Sequence, residues 1–185
     1  LTDNSGSFRS IASQKYVDIA HEHGVQVWAL LDNFSSNVQT EVLLASTTTR
    51  RKLINSLIAE VEKYGIDGLN MDFESIKPEA GIHYIQFLRE LSIPCREKGI
   101  ILSVDNYVPT SYNAFYDREE QGIVADYVII MGYDEHYAGG EPGSVSSLGF
   151  VENGISGTLA EVPREKVINA VPFYTRLWKE VPKTA

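Results

Sequence analysis

The chain has 185 residues, and 16 Lys and Arg against 25 Asp and Glu leave it a net charge of −9. An acidic chain lacks the basic footprint that nucleic-acid binding needs, and its one cysteine, Cys95, excludes an intrachain disulfide or a CxxC metal knuckle. Hydrophobic residues make up 43%, enough for a packed core, yet no apolar run approaches the roughly 20 residues of a membrane span.

The opening Leu1-Thr2-Asp3-Asn4-Ser5 is polar, so no signal peptide is expected within the chain. A first helix is expected over residues 8–23. It runs into His23-Gly24-Val25, where glycine supplies a left-handed cap and a strand can start at once. That strand is expected over 25–33. The same helix, glycine, strand order recurs at Tyr64-Gly65-Ile66 and Lys98-Gly99-Ile100. In the second helix Leu53, Leu57, Ile58, Val61 and Tyr64 fall at helical spacing, after a Thr47-Thr48-Thr49 run suited to N-capping. Its strand is expected over 66–74. The third helix has Pro78 near its start, and Pro94 should kink or end it near Ile93. Further strands are expected over 100–106, 127–134 and 167–174. Residues 135–147 are rich in Gly and Pro and read as a long loop. Residues 148–162 read as a weaker helix containing Gly154 and Gly157. The strand centres are largely apolar, as in parallel sheets covered by helices on both faces. Alternating helix and strand predicts an α/β fold.

Each expected strand ends on polar or aromatic groups: Asp32-Asn33-Phe34, Asp72-Phe73-Glu74, Asp105-Asn106-Tyr107, Tyr133-Asp134-Glu135 and Tyr174-Thr175-Arg176. In a parallel sheet these ends gather on one face, where α/β barrels and open α/β sheets build their sites. No GxGxxG and no GxxxxGK[ST] follows a strand, so no nucleotide cradle is expected and no cofactor is implied.

The stretch from Asp67 to Glu74 carries the most information. Side chains alternate along a strand, so Leu69, Met71 and Phe73 share one face, and Asn70, Asp72 and Glu74 share the other. Asp72 and Glu74 would lie roughly 7 Å apart. Amide and carboxyl groups in a core are costly unless paired or functional. Crowded carboxyls in a partly dry pocket resist double ionisation, and a carboxyl kept protonated suits general-acid work. A solvated strand end is the plainer reading of any single acid here. Three polar residues in strict alternation weigh against it.

Other candidates are weaker. His21-Glu22-His23 lacks the spacing of a metal-binding helix and reads as a solvated helix end. Asn106 at its strand end is open between substrate contact and structural hydrogen bonding. His136 reads as a loop hydrogen-bonding residue, Trp28 as core, and Trp178 as either a sugar platform or a buried ring. Cys95 reads as a packed small residue. A hard cation held by Asn70, Asp72 and Glu74 remains an alternative at this point.

Asp67-x-x-Asn70-x-Asp72-x-Glu74 resembles the DxxDxDxE signature of glycoside hydrolase family 18, the chitinase-like enzymes, with Asn70 in place of the second aspartate. Met131-Gly132-Tyr133-Asp134 resembles the family's sixth-strand MxYD. Val171-Pro172-Phe173-Tyr174-Thr175-Arg176 resembles its seventh-strand G[IL]PFYGR, with Thr175 where glycine is usual. The wording of the motifs is most similar to the bacterial branch of spore-cortex-lytic and cell-wall N-acetylglucosaminidases. The resemblance implies a retaining, substrate-assisted hydrolase of N-acetylglucosamine polymers, with no metal. Glu74 would be the acid and later the base. Asp72 would orient the substrate's 2-acetamido group, and Tyr133 would donate its hydroxyl to it. Asn70, Asp134, Asn106, Tyr174 and Arg176 would contact the sugar. A lectin-like binding protein of the same family is the alternative. The family's setting implies an extracellular or cell-envelope location and a polysaccharide partner.

A (β/α)₈ barrel typically needs about 250 residues. Matched by motif order, the five strands here correspond to the family's third to seventh. Residues 1–185 are therefore expected to be a fragment of one catalytic domain, inactive in isolation, with a partial barrel and two open edges suited to self-association.

Overall fold

The structure, a computed structural model, describes residues 1–179. Five parallel strands lie in chain order: β1 (Trp28–Asp32), β2 (Gly68–Asp72), β3 (Ile101–Tyr107), β4 (Tyr127–Met131) and β5 (Val167–Ala170). Between them run helices α1 (Gln14–Glu22, ahead of β1), α2 (Thr40–Ala45), α3 (Thr47–Tyr64), α4 (Gly81–Lys98), α5 (Arg118–Val124) and α6 (Leu148–Leu159). Among the described residues β1 and β5 each pair on one side only.

Gly24, Gly65 and Gly99 all adopt φ between 68° and 70°, the left-handed conformation expected after each helix. The N-cap of α3 is Ser46, whose side chain accepts from the Thr49 amide; the threonine run forms the first turn instead. Pro94 does not end α4, which continues to Lys98. Leu91, Ser92 and Cys95 are buried while Ile93 is exposed, so packing of the last turn outweighs the hydrogen bond that proline forgoes.

The register Trp28↔Gly68, Gly68↔Ile101 and Ser103↔Tyr127 defines two faces of the sheet. The outer face carries Leu31, Leu69, Met71, Leu102, Val104, Val128 and Ile130, all buried. Against it pack Leu53, Leu57 and Val61 of α3 and Tyr84, Phe87, Leu88 and Leu91 of α4. The inner face carries Leu30, Asn70, Asp72, Ser103, Asp105, Tyr107, Ile129 and Ile168. It is not covered throughout: Leu30 is 55% exposed and Ile168 37%. Helix cover on both faces, as the apolar strand centres suggested, is therefore replaced by one covered face and one concave face. Trp28 and Tyr127 stack on the concave side with ring centroids 5.5 Å apart. They form a floor under the polar row, and Trp28 presses against Gly68, where an added Cβ would sit 2.8 Å from its Cδ1.

Candidate active site

Four of the five strands, all but β3, end sooner than their polar tails. Glu74 lies two residues past β2, Tyr133 two past β4, and Tyr174 and Arg176 four and six past β5. The functional side chains therefore sit on loops rooted in rigid strands. After Asp72 the sheet no longer supplies backbone partners, and side chains take over. Asn33 accepts from the Glu74 amide and donates to the Glu74 carbonyl, both at 2.9 Å. Tyr116 donates to the Phe73 carbonyl at 3.1 Å and accepts from the Ile76 amide at 3.4 Å. Tyr107 accepts from the Ser75 amide at 3.2 Å. Ser75 itself takes a left-handed φ of 50°.

Asn70, Asp72 and Glu74 project into the concave side, as alternation required. Burial lifts the Asp72 carboxyl to about 7, with the like charges of Asp105, Glu74 and Asp32 adding to the rise. Asp105, on the adjacent strand, is lifted to about 6, again mainly by burial, while a hydrogen bond from Asn70 at 3.3 Å opposes the rise. The amide at position 70 removes one negative charge from the row, and Asp105 supplies another. Asp72 Oδ1 and Asn70 Oδ1 are buried without a protein hydrogen bond.

Tyr133 is half-buried, and burial pushes its hydroxyl up, with Asp105, Asp72, Glu74 and Asp134 contributing. Its ring meets Tyr174 edge-on, 6.3 Å between centroids. Tyr174 donates to Asp134 Oδ1 at 2.6 Å, and Arg176 pairs with the same oxygen. Asp134, at φ 58°, is the junction of this cluster. Arg176 also donates to the His136 carbonyl at 3.2 Å.

Asn106 does not join the site. It lies on the outer face of β3, 2% exposed, paired with Gln121 at 2.6 and 3.2 Å. Its neighbours Asp105 and Tyr107 hold the inward positions. Strict alternation counted from Ile101 points to them, and β3 reaches Tyr107, one residue beyond the expected end. Asn33 was within a recognised polar strand end, but its partner 41 residues away leaves no local trace.

The lesser candidates have structural partners. His21 bonds Asp67 Oδ2 at 2.8 Å, and the same oxygen accepts from the Val27 amide. His136 bonds the Ser144 carbonyl, and Trp178 donates to the Gly143 carbonyl. Cys95 is buried. Beside Glu74 a cleft of about 480 Å³ opens between the loops after β1 and β2, bordered by Asn33, Phe34, Thr40, Ser75 and Lys77. No group of three or more His, Cys, Asp or Glu among the described residues is placed to hold a metal ion.

A family model described as "Glycosyl hydrolases family 18" matches residues 5–185. The chain is 26% identical over 190 residues to the Bacillus subtilis glycosylase YvbX, covering 95% of this chain and 55% of that protein. It is 32% identical over 151 residues to the cortical fragment-lytic enzyme of Bacillus subtilis, covering 78% of this chain and 35% of that one. The crystal structure of the Bacillus cereus spore cortex-lytic enzyme SleL superposes with a TM-score of 0.81 at 28% identity, over 91% of this chain and 40% of that one. The chain thus spans between about a third and about a half of these relatives' lengths.

Proposed function

The chain belongs to glycosyl hydrolase family 18, and on that premise we propose that its concave carboxyl cluster cleaves β-1,4 bonds next to N-acetylglucosamine in cell-wall peptidoglycan. The observation that carries the reading is Asp72: a buried carboxyl lifted to about 7, one oxygen unpartnered, beside Glu74 and Tyr133. A carboxyl at the last residue of β2 and another two residues beyond it approach a sugar from the same side. They do not flank its anomeric carbon as the acid and nucleophile of an ordinary retaining pair do. A nucleophile borrowed from the substrate fits this arrangement better.

In this mechanism Glu74 gives its proton to the glycosidic oxygen as the bond to C1 breaks. The carbonyl oxygen of the substrate's own 2-acetamido group attacks C1 and closes an oxazolinium ring. Asp72 accepts the acetamido N–H and balances the ring's positive charge. Tyr133 donates to the acetamido oxygen. Glu74, now a carboxylate, takes a proton from water as that water attacks C1 and reopens the ring, with net retention. Asn70, Asp134, Tyr174 and Arg176 contact the sugar hydroxyls.

Peptidoglycan is preferred over chitin because relatives named for cortex-lytic activity are 32% identical to this chain. A cell-envelope location follows from that substrate; no helix among the described residues is long and apolar enough to cross a membrane. The proposal also holds that residues 1–185 are part of one larger catalytic domain. The one-sided edges of β1 and β5 and the exposed Leu30 support it.

Product analysis on peptidoglycan and on N-acetylglucosamine oligomers, with the intact catalytic domain that contains residues 1–185, tests the reading. That domain should release retained products, and Glu74→Gln in it should lower kcat by about 10³-fold or more with its fold intact. Unchanged turnover in Glu74→Gln overturns it, and tight binding without product favours a lectin.

A further inference from the structure

Tyr107 makes the one side-chain hydrogen bond to the Glu74 carboxyl among the described residues, donating to Oε2 at 2.7 Å. The same hydroxyl accepts the Ser75 amide at 3.2 Å. A phenol has one proton. With a lone pair committed to the Ser75 N–H, that proton is directed at Oε2. The ring is held in turn by an edge-on contact with Tyr116, 6.1 Å between centroids.

Resting on the hydrolase reading above, we infer that Tyr107 is a positioning residue that makes Glu74 Oε2 the permanent acceptor and leaves Oε1 as the oxygen that exchanges a proton with substrate. Three consequences follow from the bond. The carboxyl plane is fixed, because one oxygen is anchored to a rigid strand and to the backbone next door. The transferable proton resides on Oε1, because a proton on Oε2 would collide with the phenol's own. The bond strengthens once Glu74 has given up its proton, because a carboxylate is the better acceptor. Tyr107 therefore favours the product side of the first proton transfer. Its own hydroxyl stays neutral through the cycle, since burial, with the Glu74 charge beside it, lifts it to about 12.

Asn33 and Tyr116 grip the same loop, but through backbone atoms alone. They supply the control. The charged and titratable groups facing this carboxyl are Asp72 at the end of β2, Asp105 and Tyr107 on β3, Tyr116, and Tyr133 beyond β4.

The test is Tyr107→Phe beside Tyr116→Phe, read by the ¹³C shift of the Glu74 carboxyl, assigned by its loss in Glu74→Gln. Removing a donor to the charged form raises a carboxyl's titration midpoint. In Tyr107→Phe the Glu74 midpoint should rise by on the order of half a pH unit or more, and in Tyr116→Phe it should stay. On polymer substrate Tyr107→Phe should lose about tenfold in kcat with KM within about twofold, and its alkaline limb should move up. Where Tyr107→Phe does not fold, 3-fluorotyrosine at 107 keeps the shape and strengthens the donor, and the midpoint should fall. An unmoved Glu74 midpoint in the phenylalanine or fluorotyrosine variant overturns the inference. Inactivity on both polymers of the intact catalytic domain that contains residues 1–185 overturns the hydrolase reading instead, and the carboxyl titration still decides the role of Tyr107.

Discussion

Asp105 faces Asp72 across the seam between β2 and β3, and its negative charge adds to the rise that burial gives the Asp72 carboxyl. They sit one rung beyond the paired Met71 and Val104. Burial lifts Asp72 to about 7, with Asp105 the next contributor, and Asp105 itself to about 6. The two groups therefore shed their protons between about pH 6 and pH 7, well above the ordinary carboxylate range.

Those protons make stability depend on pH. Both groups start from an ordinary value of 3.8 and are raised in the fold. Between about pH 4 and pH 7 the folded state binds more protons than the unfolded chain, so stability falls as pH rises through that window. Asp72→Asn removes the larger part of this effect. Thermal melts from pH 4 to 8 should show a flatter decline in Asp72→Asn, with a gain of about 1–2 kcal/mol at the alkaline end. Parallel melting curves for the two proteins would contradict the raised titration of Asp72.

Asn106 should behave as a structural residue. Its amide and that of Gln121 satisfy each other in the outer layer, and both are buried. Asn106→Ala leaves Gln121 half-satisfied and should cost about 1–3 kcal/mol by denaturant unfolding. Turnover per folded molecule should stay within about twofold of wild type.

Asn33 should affect both stability and rate. It grips the Glu74 backbone at two points and also donates to Thr40 at 2.9 Å. Asn33→Ala should lower stability by about 1–3 kcal/mol and kcat by about tenfold, since a small displacement of the acid is costly. Full activity in a destabilised Asn33→Ala would show that Glu74 is placed by other contacts.

Gly132 precedes Tyr133 where β4 and β5 come close. An added Cβ would meet Asn169 Oδ1 at 2.7 Å and the Ala170 carbonyl at 2.8 Å. Its amide also donates to that carbonyl at 3.1 Å. Gly132→Ala must push the two chains apart and should cost about 1–3 kcal/mol in a thermal or denaturant melt. Tyr133 rides on this junction, so kcat should drop alongside.

Fold class was legible because it depends on short-range patterns. Three glycine caps, apolar strand centres and period-two alternation are local properties of the chain, and each appeared where expected. Alternation also placed Asn70, Asp72 and Glu74 on one face. Strand ends were not legible in the same way. Strands stop where neighbouring strands cease to offer backbone partners, and that boundary is set by the sheet. Glu74, Tyr133 and Tyr174 thus moved from strands to the loops beyond them.

The sequence by itself determined the family motifs, the inward row of polar side chains and the parallel α/β order. Those follow from residue type and spacing along one strand. Only the tertiary structure decided the partners: Asp105 against Asp72, Tyr107 on Glu74, and Asn33 on the loop that carries it. It also turned Asn106 outward to Gln121. Titration and proton placement depend on burial and on charges brought in from other strands, 30 or more positions away along the chain. No local pattern encodes those distances, and the folded sheet sets them.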